Sequence, residues 1–131
     1  MSFYEKLIKT HMEDKVKLPK RLKKFFSGEN EQHEGKNVSN LHNYSSDSKN
    51  PVFFSKEKLE VLFYEHMDND LANEDDRFDF VPLASLDDAQ YMAVKITEEA
   101  CAVYMWEHED GEFHKHSSSL DEFLENLHDG V

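Results

Sequence analysis

The chain has 131 residues, a formal charge of −13 and a single cysteine. That length suits one domain with one core, and one cysteine excludes an internal disulfide. No apolar run approaches the roughly 20 residues of a membrane-spanning helix, and an acidic field of this size repels nucleic acid and anionic membrane while steering basic partners inward.

The charge is unevenly spread. Residues 1–24 hold eight basic and three acidic side chains, whereas the other 107 hold seven and 25. Solubility is one reading of such an excess, and attraction of a basic partner is the other. The opening MSFYEKLIKTHMEDK lacks the apolar core of a signal peptide, so a cytoplasmic protein is expected.

Phe3, Leu7 and Ile8 share one face of a short amphipathic helix. Pro19 then suits the first turn of a second helix, where its missing N–H costs nothing. Leu22, Phe25 and Phe26 fall on its inner face, Lys20, Arg21, Lys23 and Lys24 on the rest, and Gly28 ends it. Residues 29–50 are polar and without apolar periodicity, which predicts a long flexible loop. Val52–Phe54 reads as a short strand, followed by a helix capped by Ser55. Leu59, Leu62, Phe63 and His66 line that helix, with His66 at the edge of the buried stripe.

An acidic connector runs from Asp68 to Asp76. Its Asp68 and Asp70 look like the start of a calcium loop, but Asn73 and Asp79 stand where that loop needs Gly and Glu. Phe78, Phe80 and Val81 suggest a strand stopped by Pro82, and Ser85–Gln90 a polar turn. From Tyr91, alternation marks a half-buried strand, with Met92, Val94 and Ile96 opposite Tyr91, Ala93 and Lys95. After a turn at Thr97–Ala100, Cys101–Trp106 is apolar on both sides and belongs inside the sheet. Asp110-Gly111 is a hairpin signal, and Phe113–His116 returns as the next strand. Ser119 and Glu122 form a capping box, and Leu120, Phe123, Leu124 and Leu127 repeat at helical spacing.

Few of these residues demand chemistry. His114 and His116 share a strand face and can bind zinc with His108 or Glu112, although no spacing requires it; solvent-facing histidines are the plainer reading. Cys101 sits among apolar neighbours, as a buried thiol would. No phosphate-binding Gly loop, GxSxG elbow or HExxH is present. Tyr104 and Trp106 fall opposite Val103 and Met105, so they either pack in the core or offer an aromatic anchor to a partner.

Several stretches together resemble the SUKH superfamily. Leu18-Pro19 opens a helix with Phe25-Phe26, and Phe53-Phe54-Ser55 leads into Leu59. Phe80-Val81-Pro82-Leu83-Ala84, Val103-Tyr104 with Trp106-Glu107-His108-Glu109, and the helix Ser119–Leu127 follow in the family's order. The pattern departs at Ser27–Asn30, which keeps one glycine, and at Ser85–Asp88, which replaces a glycine-rich approach to the hairpin. The resemblance implies a single α+β domain over residues 1–131, with a mostly antiparallel sheet and N-terminal, middle and C-terminal helices packed on it. It also implies a non-catalytic role: bacterial relatives are widely immunity proteins that bind a cognate toxin, and fungal relatives act in cell-wall regulation.

The function expected is therefore a non-enzymatic protein-binding domain, an immunity protein without cofactor or metal. The alternatives are a regulatory scaffold of the fungal type and a small metal-dependent enzyme using His114 and His116. The partner expected is a toxin with a basic surface, bound by a monomer or weak homodimer. The contacts expected are Asp68, Asp70, Glu74, Asp75, Asp76, Asp87, Asp88, Tyr104 and Trp106.

Overall fold

In the computed structural model, which describes residues 3–12, 16–42, 49–68, 74–86 and 90–129, four antiparallel strands pair in sequence order. They are β1 (Phe80–Ser85), β2 (Tyr91–Lys95), β3 (Val103–Glu107) and β4 (Glu112–Ser117). Around them lie α1 (Phe3–Met12), α2 (Lys20–Phe25), α3 (Lys56–Met67), α4 (Glu74–Asp79) and α5 (Leu120–Glu125), with a 3₁₀ turn at Glu29–His33. This is the expected α+β arrangement, and one apolar cluster runs through all of it.

β2 and β3 lie in the middle of the sheet. Met92 pairs with Met105 and Val94 with Val103 on one face; Tyr91 pairs with Trp106 and Ala93 with Tyr104 on the other. β2 was expected to be half-buried, but both its faces are covered up to Lys95. The second face carries Tyr91 and Ala93, which are buried too, and turns polar only at Lys95.

Pro82 does not stop β1; the strand runs through it to Ser85. β1 is an edge strand, where a missing N–H is tolerated, and its register slips between Pro82 and Ala84. The buried Tyr4 hydroxyl of α1 donates to the Pro82 carbonyl at 2.8 Å. Phe78 belongs to α4 rather than to the strand. The expected strand at Val52–Phe54 is reduced to one bridge, in which Phe53 and Ser85 exchange backbone hydrogen bonds of 3.0 and 2.9 Å. That bridge covers part of the open edge.

The helices bury the stripes the sequence lays out, except that in α1 Tyr4 and Met12 join Leu7 and Ile8 while Phe3 is only partly buried. Tyr4, Leu7, Ile8 and Met12 of α1 are buried, and Tyr4 stacks on Phe26 with ring centroids 3.7 Å apart. Leu22, Phe25 and Phe26 are buried while Lys20, Lys23 and Lys24 are exposed. Arg21 turns to bridge Glu29 and Asp121, each 2.7 Å from its Nη2, and so ties α2 to α5. That hydrogen bond holds the Asp121 carboxyl below its ordinary range. Gly28, at φ +143°, takes a backbone conformation that side chains disfavour.

Two capping expectations differ in detail. Ser55 precedes α3 without a side-chain hydrogen bond to it. Ser119 does cap α5, accepting from the Glu122 N–H at 3.1 Å, but Glu122 returns its carboxylate to the Ser118 N–H at 3.3 Å, one residue early. Cys101 lies in the β2–β3 turn at φ +56° rather than on the strand. It is fully buried, and burial pushes its thiol up, so it stays protonated and unreactive.

The polar stretch 29–50 is anchored where it is described. Val38 and Leu41 are buried, and Asn37 exchanges backbone hydrogen bonds of 2.7 and 3.0 Å with His128. Val52 also donates to Lys36 at 2.9 Å. These anchors are main-chain groups, which leave no periodicity in a sequence.

Leu120 and Phe123 are fully buried, and the Phe123 ring meets His116 edge-on at 5.7 Å. Phe123→Ala is expected to lower the unfolding free energy by about 3–5 kcal/mol, and Ser119→Ala by about 1 kcal/mol, read from denaturation midpoints. A near-zero change in the first would mean that α5 is not docked on the sheet.

Candidate partner-binding site

The sheet face that carries Tyr91 and Trp106 is aromatic. Antiparallel pairing places Phe113 beside Trp106, and Phe80 beside Lys95. The Phe80 and Phe113 rings stack at 4.1 Å, and Tyr104 meets Phe80 edge-on at 5.0 Å. Trp106 lies 4.8 Å from Phe113 and 6.2 Å from Tyr91. Toward the centre the cluster is closed, with Trp106 only 4% exposed; toward the rim, Tyr104 and Phe113 remain half-buried.

That rim forms a cleft of about 480 Å³, lined by Asp76, Phe80, Lys95, Tyr104, Gly111, Glu112 and Phe113. α4 supplies Asp76, and the start of β4 supplies Glu112, with Gly111 at φ +68° making the preceding turn possible. Lys95 crosses the floor. Its ammonium sits 5.8 Å from the Phe80 ring centre, 5.9 Å from that of Tyr104 and 3.7 Å from the Glu98 carboxylate. Ring faces attract cations, and the carboxylates add Coulomb attraction. The cleft is thus chemically suited to an ammonium or guanidinium group, and it already holds one from its own chain.

A family model, SUKH_6, described as SMI1-KNR4 cell-wall, matches residues 5–124. The chain belongs to this family. No curated protein and no solved structure matches it. No helix among the described residues of this SUKH domain is long and apolar enough to cross a membrane.

The SUKH fold gathers some of the expected contacts and scatters others. Asp76 and Tyr104 meet at one cleft. Glu74 and Asp75 share the short α4 with Asp76, while Asp68 is exposed just beyond α3. Asp70, Asp87 and Asp88 lie outside the described residues. Trp106 is turned into the core, so no surface anchor forms from Tyr104 and Trp106 together; Phe113 takes the second place at the rim. Phe80, Lys95, Phe113 and Glu112 are not among the contacts expected from the sequence. Lys95 was on the right face by alternation with Tyr91, but only the cross-strand register puts it beside Phe80. The acidic run ends in a helix at Glu74–Asp79, which removes the loop geometry a calcium site needs.

The histidines also separate. His108 is exposed on the turn. His114 Nε2 donates to Asp110 at 2.7 Å. His116 Nε2 donates to the Ser39 carbonyl at 2.6 Å, so its Nδ1 accepts from the Ser117 hydroxyl at 2.7 Å. Both His116 nitrogens are thereby committed, which leaves a His114–His116 metal pair without its second ligand.

His66, expected at the boundary, is fully buried under the aromatic face. Its Nε2 donates to the Arg77 carbonyl at 2.9 Å, which fixes the tautomer, and its Nδ1 accepts from the Tyr91 hydroxyl at 2.8 Å. Burial pushes its pKa below the ordinary value, outweighing the hydrogen bonds to main-chain carbonyls. The unfolded chain therefore binds a proton at His66 more readily than the folded one, and stability falls as pH drops below about 6.5 toward the depressed folded value. Unfolding free energy measured at pH 7.5 and again near pH 5.5 is expected to decrease, and His66→Gln to flatten that decrease. An unchanged slope in the variant would remove His66 as the cause.

Proposed function

We propose that this SUKH domain is a non-enzymatic immunity protein that neutralises a cognate toxin by covering a basic surface on it. The observation that carries the reading is the cleft at Tyr104, where the Lys95 ammonium sits over the Phe80 and Tyr104 rings and 3.7 Å from the Glu98 carboxylate, with Asp76 and Glu112 on the cleft wall. A partner's Arg or Lys can take the place of Lys95, exchanging one cation for another at little cost. Family membership supports a protein-binding role of immunity or regulatory type. The charge of −13 supports a basic partner, because like-charged proteins are repelled before contact.

The rim and the rings divide the work. Exposed ion pairs contribute only about 0–1 kcal/mol each, so Asp76, Glu112 and their neighbours act mainly on the encounter rate. Tyr104 and Phe113 exclude water from the contact and govern its lifetime. The family description, with its reference to the cell wall, favours a second reading, a regulatory scaffold of the fungal type. The two separate on the partner's activity: an immunity partner arrests growth when expressed alone, and co-expression of this chain restores it.

The partner captured from the native strain supplies the kinetic test. Asp76→Asn with Glu112→Gln is expected to slow association several-fold at low salt, with wild type slowing toward the variant as salt rises. Tyr104→Ala is expected to raise the dissociation rate by about tenfold, the equivalent of 1.4 kcal/mol. Association indifferent to salt and to both carboxylates, together with unchanged dissociation in Tyr104→Ala, would place the contact elsewhere on the domain.

A further inference from the structure

On β4, His114 alternates with Phe113 and so points to the face opposite the aromatic cleft. There its ring stacks on that of His42, with centroids 3.8 Å apart and planes 9° from parallel. Its Nε2 donates to Asp110 Oδ2 at 2.7 Å, and one ligand atom from each of His42, His114 and Asp110 falls within 4.8 Å of the others. The two histidines border a separate cleft of about 260 Å³ that includes Met105. None of this is used by the partner reading, which concerns the other face.

We propose that His42, His114 and Asp110 form a zinc-binding site. Two imidazole nitrogens and one carboxylate oxygen suit Zn²⁺, whereas Mg²⁺ and Ca²⁺ prefer oxygen alone. A tetrahedral zinc with bonds of about 2.0–2.1 Å sets its ligands about 3.3 Å apart. The Asp110–His114 pair must open slightly from 2.7 Å, and the outer spacing must close from at most 4.8 Å. Zinc replaces the proton shared between His114 Nε2 and Asp110 Oδ2. Asp110 is already oriented for this, because its Oδ1 accepts from the Glu112 N–H at 2.9 Å and Oδ2 is turned to His114. His42 is exposed, so its ring can tilt out of the stack and aim its lone pair at the metal. His116 lies along the same cleft, but its two nitrogens serve Ser39 and Ser117. The fourth position is left to water or to a donor from another molecule. Bound zinc ties His42 to the β3–β4 turn and to β4.

The competing account is a plain His114–Asp110 ion pair beside a stacked histidine, and calorimetry separates the two. Tag-free protein, stripped with a chelator, is titrated with zinc chloride and in parallel with magnesium chloride. A saturable uptake of one zinc per chain, without magnesium binding, is expected. His42→Ala and His114→Ala should each weaken zinc by about tenfold or more, while His108→Ala, an exposed histidine on the adjoining turn, should match wild type. His42 is a surface residue, so its variant keeps the test decisive should His114→Ala fail to fold, as checked by circular dichroism. Absence of saturable uptake, or equal affinity in His42→Ala and wild type, would overturn the site.

Discussion

The rest of this domain depends on two strands that are apolar on both faces. β2 and β3 present Met92, Val94, Val103 and Met105 to one side and Tyr91, Ala93 and Trp106 to the other. A sheet of this kind cannot leave either face in water, so cover is required twice. α5 brings Phe123 against His116 on one face. The end of α3 brings His66 against Tyr91 and Phe113 on the other. α1 reaches the sheet through the Tyr4–Pro82 hydrogen bond at the β1 edge and packs along α3.

The aromatic face is covered unevenly, and the cleft exists for that reason. His66 closes the side near Tyr91, where its neutral ring is held by Tyr91 and the Arg77 carbonyl. Farther along, α4 is only six residues long and leaves Tyr104 and Phe113 partly open. Aromatic rings at such a rim can keep cationic company more readily than aliphatic side chains can. Lys95 takes that place and brings Glu98 with it. The chain holds 15 basic against 28 acidic residues. Lys95 is placed over two rings and beside the Glu98 carboxylate.

The two faces of β4 hold different groups through one geometric fact, the alternation of side chains along a strand. Phe113 joins the aromatic cluster, and His114, the next residue, joins His42 and Asp110 on the other side. The β3–β4 turn and the start of β4 contribute to both, with Asp110 directed to the histidines and Glu112 lining the cleft. The turn is held by the Gly111 N–H donating to Glu107 at 2.9 Å and by Asp110 accepting from Glu112.

What the sequence by itself determined was local. Apolar spacing located α1, α2, α3 and α5 and named most of their buried residues, missing Tyr4 and Met12 in α1, because a helix stripe must be buried wherever the helix lies. Alternation and Asp110-Gly111 located β2, β3 and β4, and the motif order pointed to the family that residues 5–124 match. Tertiary structure decided everything that depends on which elements touch. Pro82 is tolerated because β1 is at an edge, a position no local pattern encodes. In the described part of the stretch 29–50, the anchor at Asn37 is a pair of main-chain bonds to His128, far along the chain, which no local pattern shows. His66 became a core residue only when Tyr91 and the Arg77 carbonyl supplied its hydrogen bonds. Asp76 met Tyr104, and His42 met His114, across separations that sequence spacing cannot measure. Periodicity states which side of an element seeks burial; only packing states what it is buried against.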